Sequence, residues 1–251
     1  MKSSNFVLKR IGALFAAALS LLSISQARAQ ILWYNGDNNG VDNIYATDNT
    51  ASTNLAIKGN SGIAYDDFIV TSPTGWQVNE VFGYFLLPNT VSSANWVILS
   101  GVSAGNGGTV VPGASGVGSV TLTAMGGPNG HGNTLYDVAV TSLNFDLAPG
   151  RYWLGLQPIS TGAGYLVTTS GANAIGTPAG NDGDAFWTGA TYGIPNNGQY
   201  FENTTNVYYD LSDFSLGVDG APISVPEPAS WALTLVCVAA VAFFRARSGR
   251  V

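Results

Sequence analysis

The chain has 251 residues, of which 10% are charged, 32 are Gly and 6 are Trp, with a single His and a single Cys. Its bases sit at the two ends: between residues 30 and 224 only Lys58 and Arg151 oppose 14 acidic side chains, a net charge of −12. A body this acidic lacks the basic footprint that releases phosphate counterions, which argues against nucleic acid as a partner, and one His without a body thiol argues against zinc sites and thiol catalysis.

Residues 1–29 have the layout of a secretory signal. A basic start runs through Arg10, an apolar run follows from Ile11 to Leu22, and Ala27 and Ala29 flank Arg28 as a small-residue cleavage site. The apolar run is shorter than the about 20 residues a membrane span needs. Cleavage by signal peptidase leaves Gln30 as the new N-terminus.

The segment Asp37-Asn38-Asn39-Gly40-Val41-Asp42-Asn43 offers hard oxygen ligands on a turn-prone loop, so calcium is the one cofactor for which the sequence supplies donors, with Asp37, Asn39 and Asp42 as the ligands. The spacing departs from the EF-hand loop, because Gly40 stands at the fourth position and no Glu closes it. Asp66-Asp67 and Asp182-Gly183-Asp184 supply further donors. The same residue types also serve as turn formers and solubilising charge.

Between residues 30 and 224, only 41–58, 133–148 and 199–216 exceed 15 residues without Gly or Pro, which leaves long helices little room. The local period is two: Tyr136, Val138 and Val140 alternate around Asp137, and Phe214, Leu216 and Val218 alternate around Ser215 and Gly217, so one face is expected buried and the other wet. Similar runs lie at Ile63 to Val70, Trp76 to Leu87, Trp96 to Val102, Val120 to Thr123, Tyr152 to Leu156 and Tyr165 to Thr169. Pro149-Gly150 predicts a type II turn with a strand directly after it. The tract from Gly101 to Gly118 is expected to form a mobile surface loop or flexible hairpin. Short strands separated by Gly and Asn clusters predict an all-β body, a single antiparallel β-sandwich or jelly-roll-like domain over residues 30–224. Asp66-Asp67-Phe68, Trp76-Gln77-Val78 and Pro149-Gly150-Arg151-Tyr152-Trp153 also resemble strings in exported bacterial sandwich domains, which implies fold class and no catalytic residue.

Motifs for chemistry are weak. Gly101-Val102-Ser103-Ala104-Gly105 satisfies a nucleophile-elbow string, but Asn106-Gly107-Gly108 follows where that motif needs a helix, and His131 is the only available base. A glycosidase needs two carboxylates in a cleft, and nothing marks a pair among the 14 acids between residues 30 and 224, of which only Glu80 and Glu202 are Glu. No catalytic residue is assigned. Trp33, Tyr34, Trp76, Trp96, Trp153, Trp187, Tyr192 and Tyr200 raise sugar binding, but the strand residues Trp76, Trp96 and Trp153 fit a core; Trp187 and Tyr192, in loop-like surroundings, are the aromatics expected to be exposed for stacking on a sugar.

At the other end Pro222, Pro226 and Pro228 precede an apolar segment from Trp231 to Phe244, closed by Arg245, Arg247 and Arg250. Counted from Ala229 the segment has 16 residues, just under the roughly 17–25 of a span, and the arginines favour the cytoplasmic side. The only cysteine, Cys237, lies within it. The run Val225-Pro226-Glu227-Pro228-Ala229-Ser230, the short apolar helix and the Arg cluster resemble the PEP-CTERM sorting signal of exported proteins of Gram-negative bacteria, here residues 225–251. The resemblance implies transient insertion in the inner membrane and processing by an exosortase near Pro226, Glu227 and Pro228. It implies delivery to the cell surface or an exopolysaccharide matrix. The expected function is a non-enzymatic structural or adhesive surface protein. The alternatives are a carbohydrate-binding module for extracellular polysaccharide and, third, a secreted glycoside hydrolase.

Overall fold

The computed structural model describes residues 30–37, 47–48, 51–52, 63–128, 132–162, 164–180, 182–188, 199–200 and 213–224. The described chain is all-β. Its strands are β1 (Gln30–Tyr34), β2 (Thr47–Asp48), β3 (Ala51–Ser52), β4 (Ile63–Val70), β5 (Trp76–Leu87), β6 (Ser93–Ser100) and β7 (Thr109–Pro128). They continue with β8 (Thr134–Val140), β9 (Phe145–Leu147), β10 (Gly150–Ser160), β11 (Tyr165–Leu166), β12 (Phe186–Thr188), β13 (Gln199–Tyr200) and β14 (Leu216–Pro222). Among the described residues there is no helix, hence none long and apolar enough to cross a membrane.

Strand order is β1-β14-β5-β8-β7-β6-β10-β4-β12-β13, antiparallel throughout this path. The long β7 joins two sets of strands. Its first half pairs with β6, Ser93 opposite Ser119 and Ser100 opposite Thr109, and its second half pairs with β8, Val120 opposite Val140. The Gly-rich tract is therefore strand from Thr109 onward, in a hairpin with β6. Its glycines make room as well as turns: a Cβ on Gly118 would stand 2.3 Å from Cγ1 of Val140.

The period of two explains the core. Trp33, Val81, Phe85, Val138, Val140, Leu216 and Val218 from β1, β5, β8 and β14 meet Ala64, Phe68, Trp96, Ile98, Tyr152, Leu154 and Leu156 from β4, β6 and β10. Phe68 is the centre of an aromatic stack. Its ring lies 5.3 Å from Trp33, 5.9 Å from Trp76 and 5.7 Å from Tyr152, centroid to centroid.

The second faces of the strands are not simply wet. Tyr34, Phe82 and Ala139 are buried together on the reverse of β1, β5 and β8, and Tyr65, Leu99, Val102, Trp153 and Phe186 form another cluster on the reverse of β4, β6 and β10. Local alternation gives the two faces of a strand but not what later segments lay over them. β10 begins at Gly150, directly after Pro149, as expected, although Gly150 has a φ of 157° rather than the about +80° of a type II turn.

Candidate functional site

Asp66 and Asp67 are neighbours on β4, so alternation sends their side chains to opposite faces, and both are fully buried. Asp66 shares the core face with Phe68. Its Oδ2 accepts hydrogen bonds from Asn35 Nδ2 at 2.8 Å and from the Phe214 backbone N–H at 2.5 Å, and its Oδ1 accepts from the Asp67 N–H at 2.9 Å. Burial first, and the nearby Asp213 charge second, raise the Asp66 carboxyl well above the ordinary carboxylate range, against the pull of these N–H donors. Asp213 is equally buried and accepts from three backbone N–H groups, those of Asp182 at 2.6 Å, Gly183 at 3.2 Å and Ala185 at 3.2 Å. Burial pushes it up to about 7.

Asp67 points to the other face, where it meets Arg151 at the start of β10. Arg151 Nε donates to Asp67 Oδ2 at 2.7 Å, Nη2 donates to Asp184 Oδ2, and the same Nη2 lies 3.8 Å from Asp182 Oδ2. The guanidinium also sits over the Trp153 ring, 5.2 Å from its centroid. Burial lifts the Asp67 carboxyl to about 6, and the Arg151 hydrogen bond opposes the rise. Carboxylate oxygens of Asp67, Asp182 and Asp184 come within 4.8 Å of one another. Arg151, the only Lys or Arg among the described residues, supplies the positive charge on which they converge. These carboxylates are ligands of an arginine, and they tie the segment before β12 to β4 and β10.

A second acidic group lies on the reverse of β5, β8 and β14. Asp219 stands directly opposite Glu80, with Asp137 near Phe82 and Tyr84 on the same face. Burial, then the charges of Asp219 and Asp137, raise Glu80 to about 7; burial, then Asp219, raises Asp137 to about 6. Like charges directly across a ladder repel, and protonation is the physical relief.

Some of the residues singled out in the sequence lie among the described residues. Asp37 is a structural anchor: Oδ1 accepts from the Tyr34 hydroxyl at 2.9 Å, Oδ2 accepts from Asn173 Nδ2 at 2.6 Å, and its carbonyl accepts from the Ser170 N–H at 2.7 Å. Its expected calcium partners Asn39 and Asp42 lie outside the described residues. Trp187 corrects the expectation of an exposed loop. It sits on β12 opposite Ala64, is 3% exposed, and its ring belongs to the core, because pairing with β4 turns it inward. Tyr192 and His131 lie outside the described residues, as do Ala27, Ala29, Pro226, Glu227 and Pro228. Gln30 is the first residue of β1 and pairs with Gly220. Ser103 lies in a tight turn, where its N–H donates to the Asn106 carbonyl at 3.0 Å and its carbonyl accepts from the Asn106 N–H at 2.8 Å. No helix follows it, so the geometry of a nucleophile elbow is missing.

No protein-family model, no curated protein and no solved structure matches this chain.

Sequence reasoning missed Asn35 and Asp213 and the role of Arg151. Arg151 was the legible one, as one of two bases against 14 acids. The partners it chooses depend on the β4–β10 register, which sets Arg151 opposite Ile69 and Trp153 opposite Asp67.

Proposed function

We propose that this chain is an exported cell-surface or matrix protein with a non-enzymatic structural or adhesive role. In this reading a single acidic β-sandwich, residues 30–224, is delivered by a signal peptide and sorted by a PEP-CTERM-like tail. The observation that carries the proposal is the pairing of Gln30 in β1 with Gly220 in β14. Gln30 is the residue that cleavage after Ala29 makes N-terminal, and β14 ends at Pro222, four residues before Pro226. The two strands are antiparallel neighbours, so Gln30 and the end of β14 lie at one end of the sheet, where both processed segments would join it.

The carbohydrate-binding alternative draws no support from the tryptophans. Trp33, Trp76, Trp96, Trp153 and Trp187 are each 7% exposed or less, so none offers a flat face to a sugar. Titration against a glycan panel separates the two readings: unchanged Trp fluorescence is the outcome expected here, and saturable quenching by one polysaccharide would favour a binding module.

The mature protein from its native host is expected to begin at Gln30 and to have lost residues beyond the Pro226-Glu227-Pro228 region, as read by intact mass. Changing Pro226, Glu227 and Pro228 together to Ala should leave the body folded and abolish C-terminal processing. An unchanged mature mass and location in that variant would sink the sorting proposal.

A further inference from the structure

We propose that the buried carboxyls of Asp66 and Asp213 form a pH-sensitive clasp, which fastens the segment 182–185 to the body at acid pH and loosens it as the pH rises past neutrality. The two carboxylates are bound into one backbone. Asp213 directly precedes Phe214, whose N–H donates to Asp66 Oδ2 at 2.5 Å, and both side chains are fully buried. Between them they fasten three pieces of chain. Asp66 holds the end of β1 through Asn35 and the approach to β14 through Phe214. Asp213 holds the approach to β12 through the N–H groups of Asp182, Gly183 and Ala185.

A carboxylate buried in a dry interior ionises only at a large electrostatic cost, and at Asp66 the Asp213 charge adds to it. The surroundings do not relieve it for Asp66. On β4 its charged neighbour is Asp67, another acid, which Arg151 bonds on the opposite face. From β1 it faces the uncharged Asn35, from β10 Leu154 stands directly opposite, and from the approach to β14 comes Asp213 itself. Asp182 adds a further negative charge near Asp213.

Asn35 is suited to either protonation state. As placed, its Nδ2 donates to Asp66 while its buried Oδ1 has no hydrogen-bond partner. Rotating the amide by half a turn brings Oδ1 to Asp66, where it accepts from a protonated carboxyl; the two placements are hard to tell apart by shape.

The direction of the pH effect follows from linkage. Asp66 and Asp213 hold protons in the folded form that the unfolded chain releases near pH 4. Their contribution to stability is complete below that pH and is lost as the pH climbs through about 7, the value to which Asp213 is raised. Above it, opening the segment 182–185 admits water to the ionised Asp213. Other raised carboxylates share this direction, so the test must be local.

The test is amide hydrogen exchange on the full chain, with chelator present, at pH 5 and pH 8, corrected for the intrinsic pH dependence of exchange. Protection of the amides of Asp182, Gly183, Ala185 and Phe214 is expected to fall at least tenfold more than that of Val138 in the core strand β8. Asp213→Asn, which keeps the shape and removes the titrating group, should abolish most of that difference, and Asp66→Asn gives an independent check if Asp213→Asn fails to fold. Equal protection at both pH values, a fall that is uniform across the core, or an undiminished local fall in a folded variant would each overturn the clasp.

Discussion

Replacing Phe68 with alanine is expected to produce the largest loss of stability of any single change in the described body. Phe68 is fully buried and stacks on Trp33 and Trp76 from one set of strands and on Tyr152 from the other, so its ring ties the two sets together. Deleting a buried phenyl ring costs about 4 kcal/mol, because the transfer energy of the ring is lost and the cavity collapses only in part. The three aromatic neighbours are large and held by their own strands, which limits collapse here. At this chain size each kcal/mol moves the melting temperature by roughly 2–4 °C, so a drop of roughly 10 °C is expected. Phe68→Leu, which refills most of the volume, should recover about half of it. Thermal unfolding followed by circular dichroism measures both, and a drop below about 3 °C for Phe68→Ala would show that the stack does not hold the strand sets together.

Arg151→Ala is expected to be the next most damaging. Asp67 has no exposed surface, its Oδ2 relies on Arg151 Nε, and its Oδ1 makes no hydrogen bond. Removing the guanidinium leaves a buried carboxylate beside Asp182 and Asp184 with nothing to offset their repulsion. Breaking a buried pair from one side costs about 3–5 kcal/mol. The Arg151 side chain is 40% exposed, and solvent screening places the loss at the lower end, about 2–3 kcal/mol. The deficit should depend on pH with a definite sign. Asp67 is already raised to about 6 with Arg151 present, so without it the carboxyl stays protonated to higher pH, and the variant should lie close to wild type at pH 4 and far below it at pH 8. Asp67→Asn in the Arg151→Ala background should restore most of the loss at pH 8. A deficit that is the same at pH 4 and pH 8 would mean that Arg151 stabilises by covering Trp153 and not by its charge.

Much of the strand layout was legible. β4 and β5 run over Ile63–Val70 and Trp76–Leu87 as read from the sequence, because apolar and β-branched residues there are bounded by Gly62, by Ser72-Pro73 and by Pro88. The Gly101–Gly118 tract was less so. β7 is held by backbone pairing to β6 and shows most of its side chains to solvent, so it carries little apolar periodicity. Gly118, which reads as a turn former, is small because Val140 occupies the space beside it. Trp187 looked like loop because Gly183 and Gly189 flank a very short apolar run; three residues are enough for a strand once β4 is there to pair with.

The sequence by itself determined the all-β class, the placing of most strands, the excess of acid over base and the lack of any thiol between residues 30 and 224. These are properties of composition and of a local period of two. Only the tertiary structure decided that β14 lies between β1 and β5, that Asp66 faces the core while Asp67 faces Arg151, and that the tryptophans of the body are buried. The physical reason is that alternation states which side chains share a face, whereas the neighbour across the ladder and the cover over each face are set by pairing between segments as far apart as Asn35, Asp66 and Phe214.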